Sequence, residues 1–122
     1  MEDKVIWFVK KGPFVDMKND LGGDYNGYVV VGRNNPYFGK NYEEVAIGIH
    51  GGWTFGASSE TLDWEDIEEK YRTNDYWIFG WDTLHAGDSR AKWPKEKVEK
   101  ETQKAAVEFR LAQLKNIRRK QE

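Results

Sequence analysis

Tyr76-Trp77-Ile78-Phe79-Gly80-Trp81-Asp82-Thr83-Leu84-His85-Ala86-Gly87-Asp88 is an aromatic run that breaks into a polar, glycine-bearing turn. Aromatic side chains suit a pleated surface, so the first half predicts a strand and the second a turn at its end. The turn holds one of only two histidines in the chain. The other, His50, closes a parallel arrangement, Ala46-Ile47-Gly48-Ile49-His50-Gly51-Gly52-Trp53-Thr54-Phe55, where an apolar run again delivers a histidine to glycines. Two unlike segments ending in the same chemistry point to a sheet-built body with one shared site at its strand ends.

Outward from these stretches, Lys4-Val5-Ile6-Trp7-Phe8-Val9-Lys10 is a nearly continuous apolar run stopped by Lys11-Gly12-Pro13, which predicts a central strand buried on both faces. Asn26-Gly27-Tyr28-Val29-Val30-Val31-Gly32 predicts a second strand, Val45 to His50 a third, Trp53-Thr54-Phe55 a short fourth, and Tyr76 to Trp81 the fifth. Turn formers crowd Phe14 to Asn26 and Arg33 to Asn41, which predicts loops. Ser58 to Tyr71 opens on capping residues and spaces Trp64, Ile67 and Tyr71 at helical intervals, predicting a short acidic helix or turn.

From Trp93-Pro94 the pattern changes. Residues 95–121 contain neither Gly nor Pro and are dense in Lys, Glu, Gln, Ala, Leu and Arg, which predicts one long helix with Pro94 at its start. Val98, Thr102, Ala105, Phe109 and Ala112 make one stripe, suited to covering a sheet. Val107, Leu111 and Leu114 make a second, rotated away, and predict a homodimer or higher homo-oligomer through this helix. The fold expected is α+β: a small, mostly antiparallel sheet of about five strands followed by one long C-terminal helix. Its 122 residues suit a single domain, 1–122, with a β-rich body over 1–94 and the helix over 95–122.

Composition narrows the function classes. Hydrophobic residues make up 39% and aromatic ones 15%, enough to build a core although 33% are charged. No cysteine is present, so neither a disulfide nor a thiolate nucleophile nor a thiolate metal ligand is available, which fits a reducing cytosol. No apolar run approaches the roughly 20 residues that span a bilayer, and the first residues show no leader pattern, so a cytoplasmic protein is expected. Lys95 to Glu122 carries nine Lys or Arg against five Glu, leaving −6 on residues 1–94 of a total of −2. An acidic body with a helix of mixed sign argues against duplex nucleic acid.

The site candidates follow from the two histidine turns. Histidine shuttles protons near neutral pH, ligates metal or donates to phosphate, and Asp82 and Asp88 stand within three residues of His85 to orient it. Gly51, Gly52 and Gly87 remove side chains where a ligand approaches backbone amides. Trp53 and Trp81 offer stacking faces, and Arg90 is the arginine best placed for a phosphate. Each histidine taken alone reads as a structural residue bonding a loop carbonyl; their parallel settings raise the functional reading. A carboxylate and imidazole set of this kind suits a divalent cation, but the spacing is no specific metal motif, so no cofactor is expected and a divalent metal is open to the set without being favoured.

His50-Gly51-Gly52-Trp53-Thr54-Phe55 and Trp81-Asp82-Thr83-Leu84-His85-Ala86-Gly87-Asp88, with Asn35-Pro36-Tyr37-Phe38-Gly39 before them and Lys97-Val98-Glu99-Lys100-Glu101 after, resemble a family of small phage and prophage proteins, mostly without an assigned activity. The resemblance covers residues 27 to about 115. Several phage proteins of this size sequester or destroy the nucleotide signals of TIR-based (Thoeris) or cyclase-based (CBASS) immunity, and the resemblance implies an anti-defence role by analogy.

Two functions of different class are therefore expected. In the first, a pocket between the two turns binds and sequesters a nucleotide-derived signalling molecule. In the second, His50 and His85, oriented by Asp82 or Asp88, cleave such a molecule as base and acid. The absence of a recognisable nucleophile favours the first. A protein-interaction factor built on the long helix is the third.

Overall fold

The computed structural model describes residues 4–12, 22–62 and 64–121. The sheet is antiparallel throughout and has four strands among these residues: β1 (Ile6–Lys11), β2 (Tyr25–Gly32), β3 (Phe55–Ser58) and β4 (Tyr76–Trp81), in the order β1-β2-β4-β3. One helix, α1 (Lys95–Gln121), lies across it. The α+β architecture and the single long helix are as the residue pattern predicts; the strand count is four rather than five.

Side-chain alternation divides the sheet into two apolar faces. Trp7 and Val9 of β1, Val29 and Val31 of β2, and Trp77, Phe79 and Trp81 of β4 belong to the core cluster on the α1 side. Ile6 and Phe8, Tyr28 and Val30, Phe55 and Ala57, and Tyr76 and Ile78 pack on the opposite face with Leu62, Trp64, Ile67 and Tyr71. The connection between β3 and β4 supplies that second cover without a regular α-helix. Among its described residues it holds two 3-10 turns, Ser59–Thr61 and Glu69–Tyr71, with Ile67 and Tyr71 buried.

Among the described residues β1 is an edge strand, paired with β2 alone, and not the central strand expected. It is apolar on both sides because the sheet is covered on both sides, and that property reports the layers rather than the position within the sheet. The expected strand over 45–50 is irregular backbone. Asn41 opens a capping box into the 3-10 turn Tyr42–Glu44, after which Ile47 is buried while Ala46 and Gly48 are exposed. Its carbonyls go elsewhere: the Trp53 indole donates to the Ile47 carbonyl at 2.9 Å. Pairing with β4 begins after the turn, where the Thr54 amide donates to the Gly80 carbonyl and β3 follows from Phe55. The loop expected from Phe14 lies outside the described residues as far as Leu21, as does Asp63 of the expected 58–71 helix.

The first helical stripe covers the sheet. Val98, Thr102, Ala105 and Phe109 are buried, Ala112 is half-buried, and Ala106 and Gln113 widen the stripe. Fully burying a valine or phenylalanine contributes about 1.5–3 kcal/mol each, so this face anchors α1. Gly27 permits the close approach, since a Cβ there would overlap Thr102 and the Trp81 indole. The Trp81 indole in turn donates to Thr102 Oγ1 at 3.0 Å, satisfying a buried polar atom. Asn35 ties the loop after β2 to the same helix by donating to the Phe109 carbonyl at 3.0 Å and to Gln113 Oε1 at 3.2 Å. Val107, Leu111 and Leu114 remain 55, 52 and 46% exposed. Among the described residues no helix is long and apolar enough to cross a membrane.

Candidate functional site

The two histidine turns meet beyond the carboxyl end of β4. After Trp81, Asp82 closes a local turn by accepting from the Leu84 amide at 3.0 Å, and its other oxygen accepts from Thr54 Oγ1 at 3.0 Å. That second bond links the β4 turn to the segment following His50. Thr83 is buried and donates to the Tyr25 carbonyl at 2.9 Å, which pins the turn to β2. The chain then folds back through Ala86 and Gly87, the latter at φ +89°, so that the Asp88 amide donates to the His85 carbonyl and the His85 amide to Asp88 Oδ2, both at 2.9 Å. The Asp88 carbonyl accepts from the Gly22 amide at 2.9 Å, holding the turn from its outer side.

His50 approaches from the other turn, which Gly52 closes by donating to the Ile49 carbonyl at 3.0 Å. Its ring lies 4.2 Å from the Trp93 ring, tilted by 37°, and 5.4 Å from the His85 ring, nearly perpendicular at 86°. Gly51, at φ +71°, is where the turns touch: a Cβ built there would fall on the imidazole of His85. Glycine is required both by that conformation and by that contact.

Asp88 is the hub. Oδ1 stands 2.8 Å from His50 Nε2, and Oδ2 stands 3.3 Å from His85 Nδ1. Asp82 Oδ1 is 3.6 Å from the same His85 nitrogen. The Asp88 side chain is 5% exposed, whereas those of His50 and His85 are 30 and 32% exposed. Burial alone would raise the Asp88 carboxyl, but the hydrogen bonds from the His85 amide and from His50, the His50 charge and the His85 ring together outweigh it. They hold the group below its ordinary value near 3.8. An ionised carboxylate only accepts, so each imidazole presents an N–H to Asp88 and keeps its second nitrogen for another partner.

Of the residues singled out by sequence, His50, Gly51, His85 and Asp88 come together, with Asp82 beside them and Gly52 and Gly87 exposed on the two turns. Trp53 and Trp81 are 7 and 1% exposed and belong to the core on the α1 side, where Trp53 packs against Phe79 and Phe109. The Arg90 guanidinium pairs with Asp24 at 2.7 Å. Two further residues shape the centre. Trp93 supplies the surface under His50, and Thr54 fixes Asp82. The tryptophan immediately before Pro94 was visible in sequence only as the start of a helix, and no spacing rule connects it to His50.

No family model, no curated protein and no solved structure matches this chain.

Proposed function

We propose that the protein binds a nucleotide-derived signalling molecule at the His50–Asp88–His85 centre and sequesters it, as an anti-defence protein of the phage family its motifs resemble. The observation that carries this is the convergence of two turns, 38 residues apart in sequence at His50 and Asp88, on one buried carboxylate. The two imidazoles left part-exposed there would face a ligand. A buried ion pair is weak evidence for stability, and perturbed titratable groups cluster at functional sites. Stacking on Trp53 or Trp81 does not enter the reading, since both indoles serve the core.

A hydrolytic reading is favoured by one specific feature: Asp88 orients both imidazoles, the arrangement that general acid–base catalysis uses. One experiment separates the two. Purified protein is incubated with a panel of cyclic nucleotides and cyclic ADP-ribose isomers, denatured by heat, and the released small molecules are analysed. Sequestration returns an intact ligand. A changed ligand, with turnover lost in His50→Ala, would establish hydrolysis instead, and neither binding nor turnover across the panel would refute both.

The same proposal includes self-association through α1. Val107, Leu111 and Leu114 stay exposed on the single chain, and a groove from Val107 and Leu111 runs past Gln103 and Arg110 onto Val5 and onto Trp7 of the edge strand β1. A second copy of the chain would cover this surface. Sedimentation equilibrium is expected to give a dimer for the wild type and a monomer for Leu111→Glu. A monomeric wild type at high micromolar concentration would exclude it.

A further inference from the structure

The charge at the centre raises a difficulty for any phosphate-bearing ligand. Asp82 and Asp88 both face His85, at 3.6 and 3.3 Å, so two carboxylates crowd one ring nitrogen. Nearby cations are engaged: Arg90 pairs with Asp24 at 2.7 Å, and Lys92 Nζ donates to the Gly87 carbonyl at 3.1 Å. A phosphate placed at the His85 ring would meet both carboxylates. A cation would be drawn to them.

We propose that His50, His85 and Asp88 bind a divalent transition-metal ion. One potential ligand atom from each of the three lies within 4.8 Å of the others. Metal–ligand bonds of about 2.0–2.2 Å place neighbouring ligand atoms some 3–3.5 Å apart, and the observed separations from Asp88, 2.8 Å to His50 and 3.3 Å to His85, lie about this spacing. The two separations run from different oxygens of Asp88, Oδ1 to His50 and Oδ2 to His85, so uptake would draw the rings and the carboxylate together by side-chain rotation. The ion would take the two ring nitrogens that now face the carboxylate, each neutral imidazole then carrying its proton on its other nitrogen.

The set selects the metal class. Two imidazoles with one carboxylate suit zinc, manganese, iron, cobalt or nickel, whereas magnesium and calcium prefer oxygen ligands throughout. The surroundings are built for rigidity. The His85 amide and the Gly22 amide fix Asp88 at both its carboxylate and its carbonyl, Trp93 backs His50, and Gly51 leaves the His85 ring its space. Asp82, held by Thr54 and the Leu84 amide, lies 3.6 Å from the same His85 nitrogen and adds negative charge beside the three-ligand set. With three ligands from two turns and both histidines part-exposed, coordination positions remain open toward solvent. A bound cation would supply the positive charge that the nucleotide reading lacks, yet metal uptake stands on the side chains alone and would hold if no nucleotide ever bound.

The test uses the full chain freed of metal with a chelator and titrated with Co²⁺, Zn²⁺, Mn²⁺ or Mg²⁺ alone. Wild type is expected to take up one equivalent of Co²⁺ with visible d–d absorption, to be displaced by Zn²⁺, and to ignore Mg²⁺ at the same concentration. His50→Ala is expected to weaken binding by at least about 100-fold, since losing even an outer-shell partner of a metal ligand costs 10–100-fold. Because Asp88→Asn also disturbs the turn, His50→Ala carries the argument, as the His50 side chain makes ring contacts and one bond to Asp88. Absence of Co²⁺ uptake by the wild type, equal uptake by a folded His50→Ala variant, or a preference for Mg²⁺ would each overturn the assignment. The nucleotide panel, run with and without the metal, reports separately on the ligand.

Discussion

Gly51→Ala is expected to abolish high-affinity metal uptake, with affinity down about 100-fold or more, while the circular dichroism of the sheet and of α1 is unchanged. The residue sits at φ +71°, where an L side chain costs about 1–2 kcal/mol, and its new Cβ would overlap the His85 ring rather than reach solvent. The ring has to leave, and it leaves the position where Nδ1 meets Asp88. The neighbouring Gly52 provides the comparison. It sits at φ +83° but a Cβ there would meet nothing within 4 Å, so Gly52→Ala carries the backbone strain without the collision. Co²⁺ titration and thermal unfolding of both variants decide the matter. If Gly51→Ala binds metal as Gly52→Ala does, contact between the turns does not organise the centre.

Phe109→Ala is expected to lower the free energy of unfolding by about 3–5 kcal/mol, the range for deleting a buried aromatic side chain. The ring is fully buried and stacks on Phe79 at 5.6 Å and 18°, with Tyr37 and Trp53 edge-on at 5.5 Å each. It joins α1, the central strand β4 and both flanking loops in one contact. Domains of this size are stable by about 5–15 kcal/mol in all, so the variant should be near its folding limit at room temperature. Val107→Ala, two residues earlier but 55% exposed, should change stability of the single chain by no more than about 0.5 kcal/mol. Urea denaturation measures both; a small effect at Phe109 would mean that α1 does not pack on the sheet as a structural layer.

The helix was legible because its signal is local: residues 95–121 lack Gly and Pro, and the stripe from Val98 to Phe109 has the period of one helical face. Strands β2 and β4 were legible for a similar reason, being apolar runs whose neighbours stop them. Sheet order was not legible. β1 reads as central since Trp7 and Val9 meet α1 while Ile6 and Phe8 meet the 59–75 connection, and a residue cannot report how many strands lie beside it. The run from Val45 to His50 shows the limit of apolar content as a strand signal, because Ile47 buries itself from irregular backbone.

For the site, residue chemistry and glycine placement singled out two turns, and the 2.8 and 3.3 Å contacts to Asp88 join them. Which carboxylate would be shared, that of Asp82 or of Asp88, depended on the backbone path through Gly87, which no spacing specifies. Trp53 and Trp81 drew attention as stacking faces because an indole looks the same in a core and in a cleft; only burial tells them apart.

The bond from His50 to Asp88 spans 38 residues of chain and joins the turn before β3 to the turn after β4. Neither turn holds the complete ligand set, so opening either one dissolves the site even while the sheet and helix persist. Occupancy and closure are thereby linked. A ligand bound there would slow amide exchange at Gly52, His85 and Asp88, whose N–H groups close the two turns, while exchange in β2 continued to report only the unfolding of the whole chain.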